Sequence, residues 1–288
     1  MSDVPDWDTF AMDTAFRNSL GATPLAARCE MLADIGYDAT YLTLFHERDR
    51  ADADRVAAVA ADHGLDVTAV YDTLDASAPP DDPDTERLLD LADRTDCDLE
   101  LAVDASDFDA SDPAGDDDAV ERVERLLDAA GDDVTVSLYP HLGNWLERVG
   151  DAVRLCERVD RSTLGVVFPA YHWYAVRGRN RDGPGLRPTL DRAALHLTSV
   201  NLCGSRWPPG AGAPTIEPLD AGELDNFAVL GALAAVGYDG PVGIQGYGDG
   251  GDAYAKLARS REALAAMRER LVAHPEWADL DRDRAIGP

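Results

Sequence analysis

Two imidazoles, two amides and a group of aromatic rings fall where short apolar runs stop. Those residue types can move a proton and hold a polyhydroxylated ligand. The run at 134–140 holds Tyr139 and is followed at once by His141, and the run at 164–170 is followed by Tyr171, His172 and Trp173. Two later runs, 197–203 and 241–247, carry Asn201 with Arg206 just beyond, and Gln245 with Tyr247. An imidazole titrates near neutrality and so serves as general acid or base. A polar group buried without a partner costs roughly 1 to 3 kcal/mol, so Asn201 and Gln245 predict a ligand, or each other, as partner. Tyr139, Trp173 and Tyr247 offer faces for a sugar ring, and Arg206 offers a guanidinium for a phosphate or carboxylate. Plainer structural readings stand beside these: His141 as a loop cap, and His172 as a histidine packed between Tyr171 and Trp173.

The elements that must position these residues follow from periodicity. Eight strand-like runs, at 9–13, 39–44, 66–72, 98–104, 134–140, 164–170, 197–203 and 241–247, alternate with helical patterns. The helical spacing recurs at 24–35, 52–63, 86–94, 118–130, 144–159, 190–196, 224–236 and 254–272. Strict alternation predicts a parallel sheet, and eight repeats predict closure into one α/β domain, a (β/α)8 TIM barrel over 1–275 with a tail at 276–288. Gly36 and Gly237, each followed by Tyr and Asp, read as left-handed helix ends. Alternation along the strands turns Glu100, Ala102, Asp104, Tyr139, His141, Asn201, Gln245 and Tyr247 inward. Irregular stretches at 105–118, 177–188 and 203–220 are rich in Gly, Pro and Asp, and the last two would overhang the catalytic face. The tail has little apolar periodicity, the pattern of an extension that meets a neighbouring copy, so a homo-oligomer enters as an expectation.

Composition excludes several classes. The 288 residues carry 55 acids against 26 bases, a formal net charge of -29, and Lys256 is the one lysine. Such an excess repels phosphate backbones and argues against nucleic-acid binding. Apolar content of 45% with regular periodicity argues against disorder, which leaves a surface adapted to molar salt as the better account, with an ordinary acidic protein as the alternative. Cys29, Cys97, Cys156 and Cys203 are far apart, with neither zinc-like spacing nor a Cys-x-x-Cys pair, and read as buried thiols. No stretch combines a basic start with an apolar run, and none reaches the ~18 apolar residues of a membrane span, so a soluble cytoplasmic protein is expected. The chain has no Gly-x-Ser-x-Gly elbow and no phosphate loop ending in Gly-Lys-Ser/Thr. The glycine-rich run 246–251 precedes the last helix and reads as a loop, with a phosphate at that helix N-terminus as the weaker alternative.

At these positions the chain resembles the xylose isomerase-like barrel superfamily, specifically its sugar phosphate isomerase/epimerase group. The resemblance covers nearly the whole chain. It rests on the helix from Pro24 into Gly36, Tyr37 and Asp38, the approach Asp160 to Gly165, the segment Thr215 to Asp225, and the closing run Gly237 to Gln245. Members of that superfamily commonly hold a divalent metal through Glu, Asp, His and Glu at four strand ends. The corresponding positions here are Tyr139, Pro169, Asn201 and Gln245, which offer neither the carboxylates nor the imidazole of that set. His172 matches a substrate-side histidine, His141 a polar position after the first glutamate, and Arg206 lies near a substrate-contacting arginine. The resemblance therefore implies a branch that keeps the barrel and the sugar-facing residues without the usual metal.

The reading that follows is a sugar or polyol isomerase or epimerase in which His141 or His172 moves a proton beside a carbonyl. Asn201 and Gln245 would donate to the developing enolate oxygen, and no cofactor is predicted. Two rivals remain. One is a non-catalytic carbohydrate-binding barrel. The other keeps a divalent metal at a relocated site built from His141, His172 and Asp72 or Asp104.

Overall fold

The computed structural model describes residues 4–21, 23–79, 81–94, 97–179 and 183–279. Eight parallel strands close on themselves in sequence order, β1 (Thr9–Met12), β2 (Ala39–Thr43), β3 (Asp66–Asp75), β4 (Leu99–Asp104), β5 (Val136–Leu138), β6 (Leu164–Pro169), β7 (Leu197–Leu202) and β8 (Val242–Ile244). The expected (β/α)8 barrel is thereby observed. Around it run α1 (Leu25–Ile35), α2 (Glu47–Ala53), α3 (Val56–Asp62), α4 (Pro83–Arg94) and α5 (Asp116–Ala130). The ring continues with α6 (Val149–Val159), α7 (Ala170–Arg179), α8 (Leu186–Ala193), α9 (Asn226–Val236) and α10 (Ala253–Ala273). Among the described residues no helix is long and apolar enough to cross a membrane. All four cysteines are buried and reduced.

Two apolar layers hold the barrel together. Alternate residues such as Leu99, Leu101, Val136, Leu138 and Val166 face outward into the helix layer, where they meet Val123, Leu126, Val153 and Leu155. The other set fills the barrel itself with Phe10, Met12, Tyr41, Tyr71, Ala102, Tyr139 and Val167. Phe10 and Tyr41 stack with ring centroids 5.6 Å apart. Gly243 lies beside Phe10 across the β1–β8 pair, and a Cβ there would run into the phenyl ring, so glycine is what admits the large side chain. Gly36 and Gly237 end α1 and α9 at φ 93 and 75, as their sequence context predicts.

Four elements differ from expectation. Where one helix was expected at 52–63, α3 occupies Val56–Asp62, and a further helix not expected from the sequence, α2, precedes it over Glu47–Ala53 with Asp54 and Arg55 between them. The helix expected from 144 begins at Val149, since the preceding residues fold back over the barrel mouth. Residues 170–179, part of which was expected as loop, form α7, whose buried face wraps most of its circumference and leaves little helical period to read. Residues 275–279, which run into the tail expected at 276–288, form a 3-10 turn that packs on α9, with Ala278 buried against Gly231. The remainder of that tail and residues 180–182 lie outside the described residues.

Candidate functional site

The loop after β5 carries the first histidine. Its backbone is tied to the barrel by the Leu146 N–H donating to Val103 O at 3.0 Å and the His141 N–H donating to Leu146 O at 2.9 Å. Asp104 at the end of β4 accepts from the Trp145 N–H at 3.2 Å, while the indole donates to Asp112 O at 2.9 Å. Glu147, buried, accepts from the Gly143 N–H at 3.0 Å and is paired with Arg179. The fold-back is thus pinned at several points, and His141 is held at the barrel mouth rather than on a free loop. His172 arrives differently: β6 runs directly into α7, and the histidine occupies that helix's first turn.

The two imidazoles face each other with ring centroids 4.0 Å apart and an interplanar angle of 40°. Nδ1 of His172 accepts the Leu142 N–H at 3.0 Å. A neutral ring so engaged keeps its proton on Nε2. Burial, and then the neighbouring His141, hold His172 well below the usual histidine range, and burial lowers His141 as well. Both rings are therefore uncharged at neutral pH. Among the described residues His141 Nδ1 is buried without a hydrogen-bond partner, although Asn144 and the Leu142 backbone lie beside the ring.

These rings line a cavity of about 420 Å³ that also contains Tyr71, Tyr139, Tyr171, Gln245 and Tyr247. Its opening lies beyond the carboxyl ends of the strands, the face at which barrels of this kind hold their ligands. Tyr139 meets Tyr71 edge to face at 5.2 Å and His172 at 5.6 Å, so it forms the wall beneath the histidine pair. Gln245 is buried, and among the described residues its amide oxygen has no partner. At the rim Phe45 and Tyr247 are 45% and 48% exposed and meet edge to face.

Beneath the cavity lies a carboxyl group that side-chain alternation turned inward but to which sequence reasoning gave no role. Glu100 on β4 accepts the Tyr41 hydroxyl at 2.6 Å and the Ser199 hydroxyl. Burial pushes its carboxyl up to about 7 against the hydrogen bonds from Ser199 and Tyr41, which favour the charged form. Asn201 sits beside both Glu100 and Tyr139 and lowers each of them, yet neither amide atom reaches hydrogen-bond geometry. The signal for Glu100 was present as an inward glutamate in an otherwise apolar strand.

Of the eight residues singled out in the sequence, the structure brings Tyr139, His141, His172, Gln245 and Tyr247 to one cavity. Asn201 is sealed below it with no exposed surface. Trp173 turns the other way, against Phe168 at 5.9 Å and a separate small cavity beside Glu147 and Arg148, so it does not reach the histidine pair. Helical geometry explains this: successive residues turn by about 100°, so with Tyr171 and His172 both directed at the cavity, Trp173 is carried round to the far side of α7. Arg206 is held outside by Glu217 at 2.7 Å.

The donor set at the four strand ends does not fit a divalent metal. Tyr139, Pro169, Asn201 and Gln245 supply a phenol, a proline and two amides, whereas Mg²⁺ or Mn²⁺ favours a shell that includes carboxylate oxygens. The carboxylates considered for a relocated site are engaged elsewhere. Asp72 takes Arg50 at 2.8 Å, and Asp104 accepts from the Ala105 and Trp145 backbone. Among the described residues no group of three or more His, Cys, Asp or Glu is arranged to hold a metal ion.

Residues 29–270 match the family model described as xylose isomerase-like TIM barrel. Among solved structures, a xylose isomerase domain protein from Planctomyces limnophilus is 20% identical with a TM-score of 0.66, over 94% of this chain and 99% of that one. A xylose isomerase-like TIM barrel protein from Mycobacterium smegmatis, in complex with magnesium, is 19% identical with a TM-score of 0.65, over 94% and 100%. An L-ribulose 3-epimerase is 16% identical with a TM-score of 0.66, over 98% and 99%. At these identities the likeness is one of fold. No curated protein matches the chain.

Proposed function

The chain belongs to the xylose isomerase-like TIM barrel family, and on that premise we propose that it moves a proton beside the carbonyl of a sugar or polyol. The paired imidazoles act as base and acid, without the divalent metal common in that superfamily. The observation that carries this reading is the pair itself: two uncharged rings 4.0 Å apart in the wall of a sugar-sized cavity. His172, whose Nδ1 is committed to Leu142, presents an Nε2–H to a carbonyl oxygen. His141, the less buried ring, keeps a lone pair at neutral pH and takes the proton from the neighbouring carbon. The Gln245 amide donates to the oxygen as it gains charge, the service a metal would otherwise supply. Asn201 supports Tyr139 and Glu100 from below rather than touching the ligand. Similarity of fold to an L-ribulose 3-epimerase agrees with this reading. The acidic surface belongs to a chain working in concentrated salt inside the cell.

The test is turnover on a panel of ketoses, sugar phosphates and inososes. We expect an isomer or epimer to form, and His141→Ala or His172→Ala to slow it by ~10²- to 10⁴-fold, the usual loss for a general acid or base. Binding across the panel without any turnover would make the chain a carbohydrate-binding barrel.

A further inference from the structure

The histidine cavity has a neighbour on the same face. Phe45 and Tyr247 line it and also line a second cavity of about 770 Å³, so the two adjoin across that aromatic pair. Arg17, Arg28, Arg48 and Arg55 stand in the walls of the second cavity with Asp13, Asp49 and Asp52. Four guanidiniums against three carboxylates leave one positive charge in excess, in a chain whose net charge is -29. At ~0.15 M salt the Debye length is about 8 Å, so the acids of the distant surface are screened from this cavity.

The inner arginines form the cavity floor. Arg17 and Arg28 share Asp13 at 3.4 and 3.1 Å, Arg17 also meets Asp49 at 3.0 Å, and Asp13 takes the Thr43 N–H and hydroxyl at 3.0 and 2.8 Å. The outer arginines are not so consumed. Arg48 is 77% exposed, and among the described residues its one ionic contact is a distant 3.7 Å to Asp49. Arg55 is 57% exposed, and its Nε and Nη2 converge on a single Asp52 oxygen, its one ion pair among the described residues. Other cations at this end are engaged: Arg206 with Glu217, Arg50 with Asp72, and Lys256 with the Asp249 carboxylate and the carbonyls of its own loop. That last contact, with Asp252 capping α10, also removes the phosphate alternative for the run at 246–251.

Resting on the reading that the reacting sugar occupies the histidine cavity, we propose that the far end of the same substrate carries an anionic group, a phosphate or a carboxylate. Arg48 and Arg55 bind that group in the second cavity, and Phe45 and Tyr247 bound the chain of atoms passing between. A neutral monosaccharide occupies only the first cavity. The anion adds one or two charge-assisted hydrogen bonds, worth about 10- to 100-fold in affinity.

Calorimetric titration of the full chain at constant ionic strength, with fructose, fructose 6-phosphate and fructuronate, tests this. One of the two anionic sugars should bind about 10- to 100-fold more tightly than fructose. Which one does so identifies the phosphate or the carboxylate as the source. In the Arg48→Ala, Arg55→Ala double variant the preference should vanish with fructose binding unchanged; both side chains are exposed, so the fold does not depend on them. Equal affinities, a preference that survives in the double variant, or no binding of any of the three would overturn the proposal. The proton-transfer reading fails separately: a preference lost in the double variant, with no isomerisation of any bound sugar, leaves the anion subsite in place on a binding barrel.

Discussion

Glu100 and the two histidines answer to pH in opposite directions, because burial penalises charge on both kinds of group. For Glu100 the folded protein holds its proton up to about 7, against an ordinary value of 4.5, so the native state binds the proton more tightly than the unfolded chain. Its contribution is fully present below 4.5 and is lost as pH rises toward about 7, a change of roughly 3 kcal/mol at 1.36 kcal/mol per unit. Glu100→Gln removes that loss. Urea unfolding should therefore find the variant gaining about 3 kcal/mol on the native chain across the window, whatever their offset at low pH. A constant difference between the two proteins would mean that Glu100 is charged throughout. His141 and His172 behave in reverse: the unfolded chain takes their protons first, so stability falls as pH drops below 6.5.

At the scale of elements, the barrel was legible because each strand announces itself by a short apolar run and a break. Strand parity then carried Tyr139, His141, Gln245 and Tyr247 to the cavity. Three things were hidden. The period of α7 is masked by burial on most sides, so Trp173 was read as a strand-end neighbour of His172 when helical rotation separates them. Arg206 lay near the mouth in sequence, but no pattern of residues foretells which carboxylate a guanidinium will choose, and Glu217 holds it away. The second cavity was likewise illegible, since its arginines come from separate elements, Arg28 within α1, Arg48 within α2 and Arg55 at the start of α3, that only the closed barrel brings together. The β8 strand offers a direct check on how the interior positions Gln245. Gly243→Ala inserts a methyl into the Phe10 ring, and overpacking of this kind costs about 1–3 kcal/mol. Denaturant unfolding should register that loss, and an unchanged midpoint would show that Phe10 has room to move.

The whole molecule carries a net charge of -29, and self-repulsion on that scale opposes a compact state. At ~0.01 M salt the Debye length is about 30 Å, so acids across much of the surface repel one another, whereas at molar salt the range is about 3 Å. The melting temperature should rise markedly from dilute buffer to molar KCl. Equal melting temperatures would remove the reading of a surface suited to concentrated salt.

The central claim, proton transfer by the imidazole pair without a divalent metal, is tested most directly by deuterium incorporation from solvent. Protein stripped with a chelator and kept in its presence is incubated in D₂O with the ketose or inosose it turns over, and the carbon next to the carbonyl is followed by proton NMR. The account predicts exchange at the rate of the untreated protein, reduced ~10²- to 10⁴-fold in His172→Ala. Exchange that stops on chelation and returns with Mn²⁺ would contradict it.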